Sequence, residues 1–145
     1  MASGRTLWSS AEELQHLVCS TGSLSSDALF YHRAGCTIVS EASIAISLAN
    51  EYLSMLDPEN REQAARSFLM RVSSGPLYFP EIAKFRAIRI LWRNLLVAYG
   101  LDASIPVTIH AETTLQNKTV SDPHNNMLRA TAEAMAAVTG GADSL

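Results

Sequence analysis

The residues from Phe79 to Leu145 alternate helix and strand signals, and this alternation restricts the fold more than any other feature of the chain. Apolar residues at helical spacing predict a long helix from about Phe79 to Tyr99, which ends at Gly100. The run Ile105–Ile109 then predicts a buried strand. A long helix followed by a short apolar strand is typical of α/β proteins with parallel sheets.

The end of the chain continues the same alternation. Ser121 or Asp122 is expected to cap a second long helix, with Pro123 in its first turn. Gly140 and Gly141 are expected to end that helix. The residues Ala142–Leu145 would then begin a further strand.

The first half of the chain predicts further strands and helices of the same kind. A short N-terminal helix is expected from Ser9 or Ser10, because Glu12 and Glu13 would lie in its first turn, where the helix dipole favours acids. The other expected elements are a Ser/Gly-rich break over Ser20–Ser26, a buried strand Ala28–Tyr31, a helix Thr37–Met55, a helix from Asp57 to about Ala65, a strand Phe68–Val72 and a loop Ser73–Pro76. The whole order is β-α-β-α-β-α-β, which predicts a parallel sheet with crossover helices.

Composition excludes several classes of function. The 145 residues fit one domain, 48% of them are hydrophobic, 17% are charged and the net charge is -3, which gives no electrostatic support for binding nucleic acid or an anionic membrane. Cys19 and Cys36 are too few for a disulfide framework and are expected to be reduced. Met1–Ala11 lacks the apolar core of a signal peptide, and no apolar run is long enough to span a bilayer. We therefore expect a cytoplasmic protein.

Polar residues follow the predicted strands, where the chemistry of parallel α/β folds gathers. These candidates are His32, the Arg71–Gly75 loop and the run from His110 to Gln116. His110 and Glu112 lie two apart on extended chain and therefore share a face. They could act as an acid–base pair or as metal ligands, although two ligands do not make a metal site, and a hydrogen-bonded pair without a ligand is the competing interpretation.

Two other groups of residues are interpreted as structural. Arg86, Arg89 and Arg93 share one helical stripe, which is expected to be solvated or ion-paired, or else to form a subunit contact. Cys36 is expected to be a small buried residue and not a nucleophile, since no adjacent base is evident.

Three sequence motifs resemble those of a known family. E-I-A-K-x-R-A-x-R-x-L-W is matched by Glu81–Trp92, and E-A-M-A-A-x-x-G-G is matched by Glu133–Gly141. D-P-Y-N-N-x-x-R is matched by Asp122–Arg129, with His124 in place of tyrosine. With these words, the segment Ala34–Leu145 resembles the substrate-binding barrel of the cobalamin-dependent methylmalonyl-CoA mutases.

The resemblance implies a partial (β/α)8 TIM barrel of about three and a half β-α units, with acyl-CoA along its axis and a separate domain that holds the corrin. We divide the chain into 1–27, a helical or loop segment of unclear role, and 28–145, a partial barrel of acyl-CoA mutase type. The segment Asp122–His124 imitates the start of the family's cobalt-binding D-x-H-x-x-G motif. Met127 stands where that motif needs glycine, so we interpret His124 as a helix-start residue.

The substrate-facing positions of the family are changed in this chain. A gapless alignment places Leu29 and Phe30 at the family's Tyr-His pair and His32 at its glutamine, whereas a two-residue gap would restore Tyr31-His32 to that pair. An arginine and a serine of the family's second strand are matched by Ser67 and Leu69.

The strand-end word T-H-x-Q-T-S-G-W is altered as well. His110 is retained, Glu112 replaces glutamine, and Leu115-Gln116 replaces Gly-Trp; further on, Asp143 stands where catalytic members have glutamine. An acid at Glu112 would repel an anionic acyl-CoA. The substrate-facing candidates are therefore His110, Glu112, His32 and Ser67, and no residue is assigned as catalytic, cofactor-binding or metal-ligating.

The replacement of these substrate-facing and corrin-facing residues is typical of the family's small, non-catalytic subunit. We therefore expect a fragment or short form of that subunit, inactive alone, which supports a catalytic partner that interconverts methylmalonyl-CoA and succinyl-CoA. The alternative is a substrate-binding part of an active mutase. The resemblance implies that the complex uses adenosylcobalamin and that this chain does not bind it. The expected partner is a catalytic subunit or a second copy of the chain. Whether acyl-CoA binds is left open. A partial barrel exposes sheet edges, so self-association or a partner is expected.

Overall fold

The computed structural model describes residues 16, 18, 20 and 22–145. Within this part of the chain, strands and helices alternate in the order β1-α1-α2-α3-β2-α4-β3-α5. Their bounds are β1 (Leu24–Asp27), α1 (Leu29–Arg33), α2 (Ile38–Met55), α3 (Pro58–Arg66), β2 (Phe68–Ser74), α4 (Tyr78–Ala98), β3 (Thr108–Thr113) and α5 (Pro123–Gly140). The expected helix from Ser9 or Ser10 lies outside the described residues.

The three strands form one parallel sheet in the order β1-β2-β3. In its register, Asp27 on β1 lies beside Arg71 on β2, and Arg71 lies beside His110 on β3. Each strand is joined to the next by helices, as parallel neighbours require. The predicted α/β class, with parallel strands and crossover helices, is confirmed.

One face of the sheet carries the hydrophobic core. Phe68, Met70 and Val72 alternate along β2 and are fully buried, as side chains on one face of a strand must be when that face is covered. The Phe68 ring lies 5.1 Å from the ring of Trp92 on α4 and 6.5 Å from that of Tyr52 on α2. The opposite face of the sheet, which we call the open face, carries Arg71 and His110 at partly exposed positions.

The strand expected at Ala28–Tyr31 is wrong, since those residues begin the short helix α1. The strand lies earlier, at Leu24–Asp27, inside the serine-rich stretch that was interpreted as a break and within the segment 1–27. The Asp27 side chain explains the change of structure, because its Oδ1 accepts the N–H of Leu29 at 3.0 Å and turns the chain into the helix.

The boundaries of the other two strands also differ from expectation. β3 begins at Thr108 and not at Ile105, because the carbonyl of Ile105 accepts the indole N–H of Trp92 at 3.1 Å and the N–H of Ile105 bonds within a turn. His110 and Glu112 therefore lie within β3 and not after it. β2 continues through Ser73 and Ser74, which were expected in a loop.

A fourth strand is present only as a beginning within the described residues. Ser144 forms a single parallel bridge with His110, and its carbonyl accepts the N–H of Ala111 at 2.8 Å. Arg89 holds this turn in place, because its guanidinium lies 2.9 Å from Asp143 Oδ2 and also donates to the carbonyl of Gly141. Of the predicted arginine stripe, Arg89 is thus ion-paired.

The long helices agree with expectation in extent, and α5 has the cap expected at Asp122. The side chains of Thr37 and Asp122 accept backbone N–H groups at the starts of α2 and α5. Gly141 ends α5 with φ 93°, a left-handed conformation that favours glycine. Gly140 lets α5 approach α4 closely, because a Cβ there would lie 2.8 Å from the ring of Phe85.

Candidate functional site

Four charged side chains form a continuous ion chain across the open face. Arg71 Nη1 lies 2.8 Å from Asp27 Oδ2, and Arg71 Nη2 lies 3.8 Å from Glu112 Oε2. Glu112 Oε1 accepts a hydrogen bond of 2.5 Å from Arg33, at the end of α1. The chain Asp27–Arg71–Glu112–Arg33 joins β1, β2, β3 and α1, and its formal charges sum to zero.

His110 lies on the same face as Glu112, as the two-residue spacing predicts. Its Nδ1 lies 2.9 Å from the hydroxyl of Ser144, while Glu112 is engaged by the two arginines. The two residues thus have different partners. Their geometry is that of separate structural contacts and not of a hydrogen-bonded catalytic pair.

His32 connects α1 to the loop after β3. Its Nε2 lies 2.8 Å from the hydroxyl of Thr114, and its backbone carbonyl accepts the side-chain amide of Gln116 at 2.5 Å. The other ring nitrogen, Nδ1, lies 3.9 Å from Glu41 Oε2. The structure therefore brings His32 close to the strand-end run His110–Gln116, although it lies on a helix.

Ser67 lies apart from the other three candidates. It precedes β2, whereas the contacts of His32 and Glu112 lie toward the ends of the strands. Its hydroxyl donates to the backbone carbonyl of Gly22 and to that of Gln63. These bonds join the end of α3 to the chain before β1.

The structure contains a buried cluster of charged residues that the sequence did not lead us to expect. Glu41 on α2 and Glu81 and Lys84 on α4 are at most 3% exposed. Lys84 Nζ donates to Glu41 Oε2 at 2.7 Å and lies 2.6 Å from Glu81 Oε2, at an angle that gives an ion pair but no hydrogen bond. The i,i+3 spacing of Glu81 and Lys84 was the signal that could have identified this pair.

The buried cluster fixes the end of β2. Glu41 accepts the N–H of Ser73 at 2.6 Å and its hydroxyl at 2.7 Å, while Lys84 donates to the carbonyl of Ser73 at 2.8 Å. Gly75 leaves room for Glu81, because a Cβ there would lie 2.9 Å from Glu81 Oε1. The cluster ties α2, α4 and β2 together and explains why Ser73 continues the strand.

A third acid holds the loop after β3. Glu133 on α5 is 1% exposed and accepts hydrogen bonds from Lys118 at 2.7 and 2.8 Å and from Asn117 at 2.7 Å. Its backbone carbonyl accepts the hydroxyl of Ser74 at 2.7 Å. The loop is thereby anchored to α5 and to the end of β2.

Cys36 is not activated for nucleophilic attack. Burial raises the pKa of its thiol above the usual 9.0, and the nearby Glu41 carboxylate raises it further, with Lys84 acting in the opposite direction. A thiol with a raised pKa carries little thiolate at neutral pH. The expectation that Cys36 is buried is wrong, because it is half-buried in the wall of a groove, but the raised pKa agrees with the expectation that it is not a nucleophile.

Among residues 16, 18, 20 and 22–145, no group of three or more His, Cys, Asp and Glu side chains could hold a metal ion. His124 lies in the first turn of α5, directly after the capping residue Asp122. Gln116, which the resemblance places at the family's tryptophan position, donates from its side-chain amide to the carbonyl of His32.

Apolar surface is exposed on two sides of the helical layer. A groove of about 930 Å³ lies between α2 and α4 and is lined in part by Val39, Ile46, Leu77 and Leu91. Met127, Leu128, Met135 and Val138 are exposed along α5. Surfaces of this kind mark contacts with other proteins more often than solvent-facing helices do.

Comparison with known proteins identifies the family that shares these sequence motifs. The sequence model of the methylmalonyl-CoA mutase family matches residues 12–145, so the chain belongs to that family. Its relatives include proteins named as small subunits of the mutase. None of the helices in the described part of the chain is long and apolar enough to cross a membrane.

Individual relatives sharpen the comparison. The chain is 37% identical over 117 residues to a methylmalonyl-CoA mutase small subunit of Porphyromonas gingivalis, which covers 77% of this chain and 19% of that protein. It is 35% identical over 124 residues to a small subunit of Streptomyces virginiae, covering 84% and 20%. A probable mitochondrial methylmalonyl-CoA mutase of Caenorhabditis elegans is 44% identical over 82 residues, covering 54% and 11%. The chain thus spans about a fifth of the length of the small subunits.

Proposed function

We propose that this chain is a fragment or short form of the small, non-catalytic subunit of a methylmalonyl-CoA mutase. In this role it supports a catalytic partner that interconverts methylmalonyl-CoA and succinyl-CoA, an isomerisation at the level of the complex. The complex works in the cytoplasm and uses adenosylcobalamin, which supplies the radical chemistry and is held by the partner. This chain contributes scaffold and contact surface.

The observation that carries the proposal is the ion chain of the open face. In the full barrel that the resemblance implies, this face lines the axis where acyl-CoA would run. Its charged residues are paired with one another, and Glu112 stands where the family has an uncharged glutamine. A substrate carboxylate would meet this acid, and the neighbouring arginines are already paired with acids of the chain itself. Such a surface supports a structural role better than a substrate-binding one.

Exposed apolar surface supports the proposal that this chain binds a partner. The groove between α2 and α4 and the exposed residues of α5 provide contact area for a catalytic subunit. β1 has β2 as its one neighbour in the sheet of the described residues, so its outer edge is a further contact surface. We expect the chain to bind the catalytic subunit in preference to a second copy of itself.

Assembly can be tested by light scattering and sedimentation of the purified chain, alone and with a full-length catalytic mutase subunit. A defined complex with that subunit is the expected result. A stable, monodisperse monomer that fails to bind the subunit would reject the proposal. A homodimer that excludes the subunit would place the contact between copies of this chain instead.

A second candidate function is supported by His110. This residue is retained from the family's strand-end word and lies on the open face, so the chain could contribute to substrate binding. Isomerisation of methylmalonyl-CoA by the chain alone with adenosylcobalamin would establish this alternative. We expect no activity above the background of the cofactor alone.

A further inference from the structure

Two arginine side chains from different elements converge on the carboxylate of Glu112. Arg33 approaches from the end of α1 and donates to Oε1 at 2.5 Å. Arg71 approaches from β2, with Nη2 at 3.8 Å from Oε2. The Glu112 side chain is 31% exposed, so solvent reaches the place where the three groups meet.

Arg33 thus holds the carboxylate by a hydrogen bond, and Arg71 adds a second positive charge at ion-pair distance. Arginine binds carboxylates well because its planar group carries several N–H donors and a permanent charge. Here the carboxylate belongs to the protein itself. A free carboxylate of similar size could reach the same donors if Glu112 were absent, because the site opens to solvent.

Asp27 is not an equivalent internal ligand. It pairs with Arg71 at 2.8 Å, but its other carboxylate oxygen accepts the N–H of Leu29, the first residue of α1. Asp27 is therefore committed to the local structure between β1 and α1. It also holds Arg71 in place when Glu112 is removed.

We propose that Arg33 and Arg71 form a carboxylate-binding site that the protein's own Glu112 occupies. The open face is then closed to carboxylate ligands by one side chain, and not by a lack of donors. This goes beyond a structural role for the chain, because it assigns a latent ligand site and names the class of ligand. It rests on the contacts of Glu112 and stands whether or not the chain binds a mutase partner.

The test uses Glu112→Ala, which removes the internal carboxylate and leaves both arginines. The variant is titrated with acetate and followed by thermal unfolding and by the NMR signals of the arginine Nε–H groups. We expect acetate to raise the midpoint of unfolding and to shift the signals of Arg33 and Arg71. The affinity for acetate should exceed that of the unchanged chain by about tenfold or more. Chloride at equal ionic strength should not reproduce these effects.

Two control variants separate a specific site from general charge effects. Adding Arg33→Gln to Glu112→Ala should abolish the response to acetate. Glu62→Ala removes a carboxylate that pairs at 2.6 Å with one exposed arginine, Arg66. This variant should gain no affinity for acetate. Glu112→Thr, which suits a strand and also removes the long side chain from the arginines, replaces Glu112→Ala if the alanine variant fails to fold.

Any of three results would overturn the proposal. The first is a folded Glu112→Ala variant that shows no response to acetate. The second is acetate binding to the unchanged chain with the same affinity as to the folded Glu112 variant. The third is an equal response after Arg33→Gln is added. Failure of the mutase-assembly experiment would leave these results unaffected, so the two proposals are tested separately.

Discussion

Lys84 on α4 and Glu41 on α2 meet inside the protein, with 2.7 Å between the ammonium nitrogen and a carboxylate oxygen. Glu81 joins the pair at 2.6 Å, so two buried acids share one lysine. Removal of one partner from a buried ion pair is costly, because a charge then stays in the interior without compensation. The cluster therefore links the stability of the fold to one side chain.

Replacement of Lys84 by methionine should destabilise the protein strongly. The variant keeps an aliphatic chain of similar length but leaves Glu41 and Glu81 without their cation, at a cost of about 3–5 kcal/mol. Urea unfolding followed by circular dichroism measures the loss. Arg86→Met on the exposed side of α4 is the matched control and should change the free energy of unfolding by less than about 0.5 kcal/mol. Equal effects of the two substitutions would contradict the assigned role of the cluster.

Gly140→Ala tests the close contact between α4 and α5. The added Cβ would lie 2.8 Å from the ring of Phe85, so the helices must separate, at a cost of about 1–3 kcal/mol. Thr139→Ala, at the preceding exposed position, should be nearly neutral. A Gly140→Ala variant as stable as the unchanged chain would show that the helices are not in close contact.

Arg89→Met should release the turn that follows α5. The guanidinium pairs with Asp143 and donates to the carbonyls of Val107 and Gly141, and the loss of these bonds should cost about 1–3 kcal/mol. Hydrogen exchange should also become faster at Ala111, whose N–H bonds to Ser144 in the same turn. Unchanged protection of Ala111 would argue against Arg89 as the support of this bridge.

The Cys36 thiol predicts a loss of stability at alkaline pH. Its pKa is raised in the folded protein, first by burial and then by Glu41, so the unfolded chain loses its proton first. The stabilisation is complete below the usual pKa of 9.0 and is lost as the pH rises through the higher folded value. In a Cys19→Ser background, the pH dependence of the iodoacetamide reaction should have its midpoint at a higher pH in the folded protein than in the urea-unfolded chain. Equal midpoints would contradict the raised pKa.

The sequence predicts the helices of this fold better than its strands. The helices α2 and α4 follow from apolar periodicity, and α5 follows from its cap at Asp122 and the glycines at its end, which are local signals. β1 was misplaced because its Leu24–Asp27 sequence is half serine. Its strand conformation comes from pairing with β2, a contact with residues far along the chain.

The candidate site was predicted in part for the same reason. The shared face of His110 and Glu112 follows from strand geometry alone, and it is confirmed. The partners of Glu112 come from α1 and β2, so no local pattern could identify Arg33 and Arg71 together. The buried Glu41–Lys84 pair was missed because glutamate and lysine on a helix usually indicate a solvated surface.

The central claim is that this chain serves a mutase as scaffold and not as catalyst, and His110→Ala tests it most directly. The variant is assembled with a full-length catalytic subunit, its binding is verified by sedimentation, and isomerisation is assayed with adenosylcobalamin. The account predicts the same turnover as with the unchanged chain, because His110 contacts Ser144 in a structural role. A loss of turnover in a fully assembled complex would contradict it and assign His110 to the substrate.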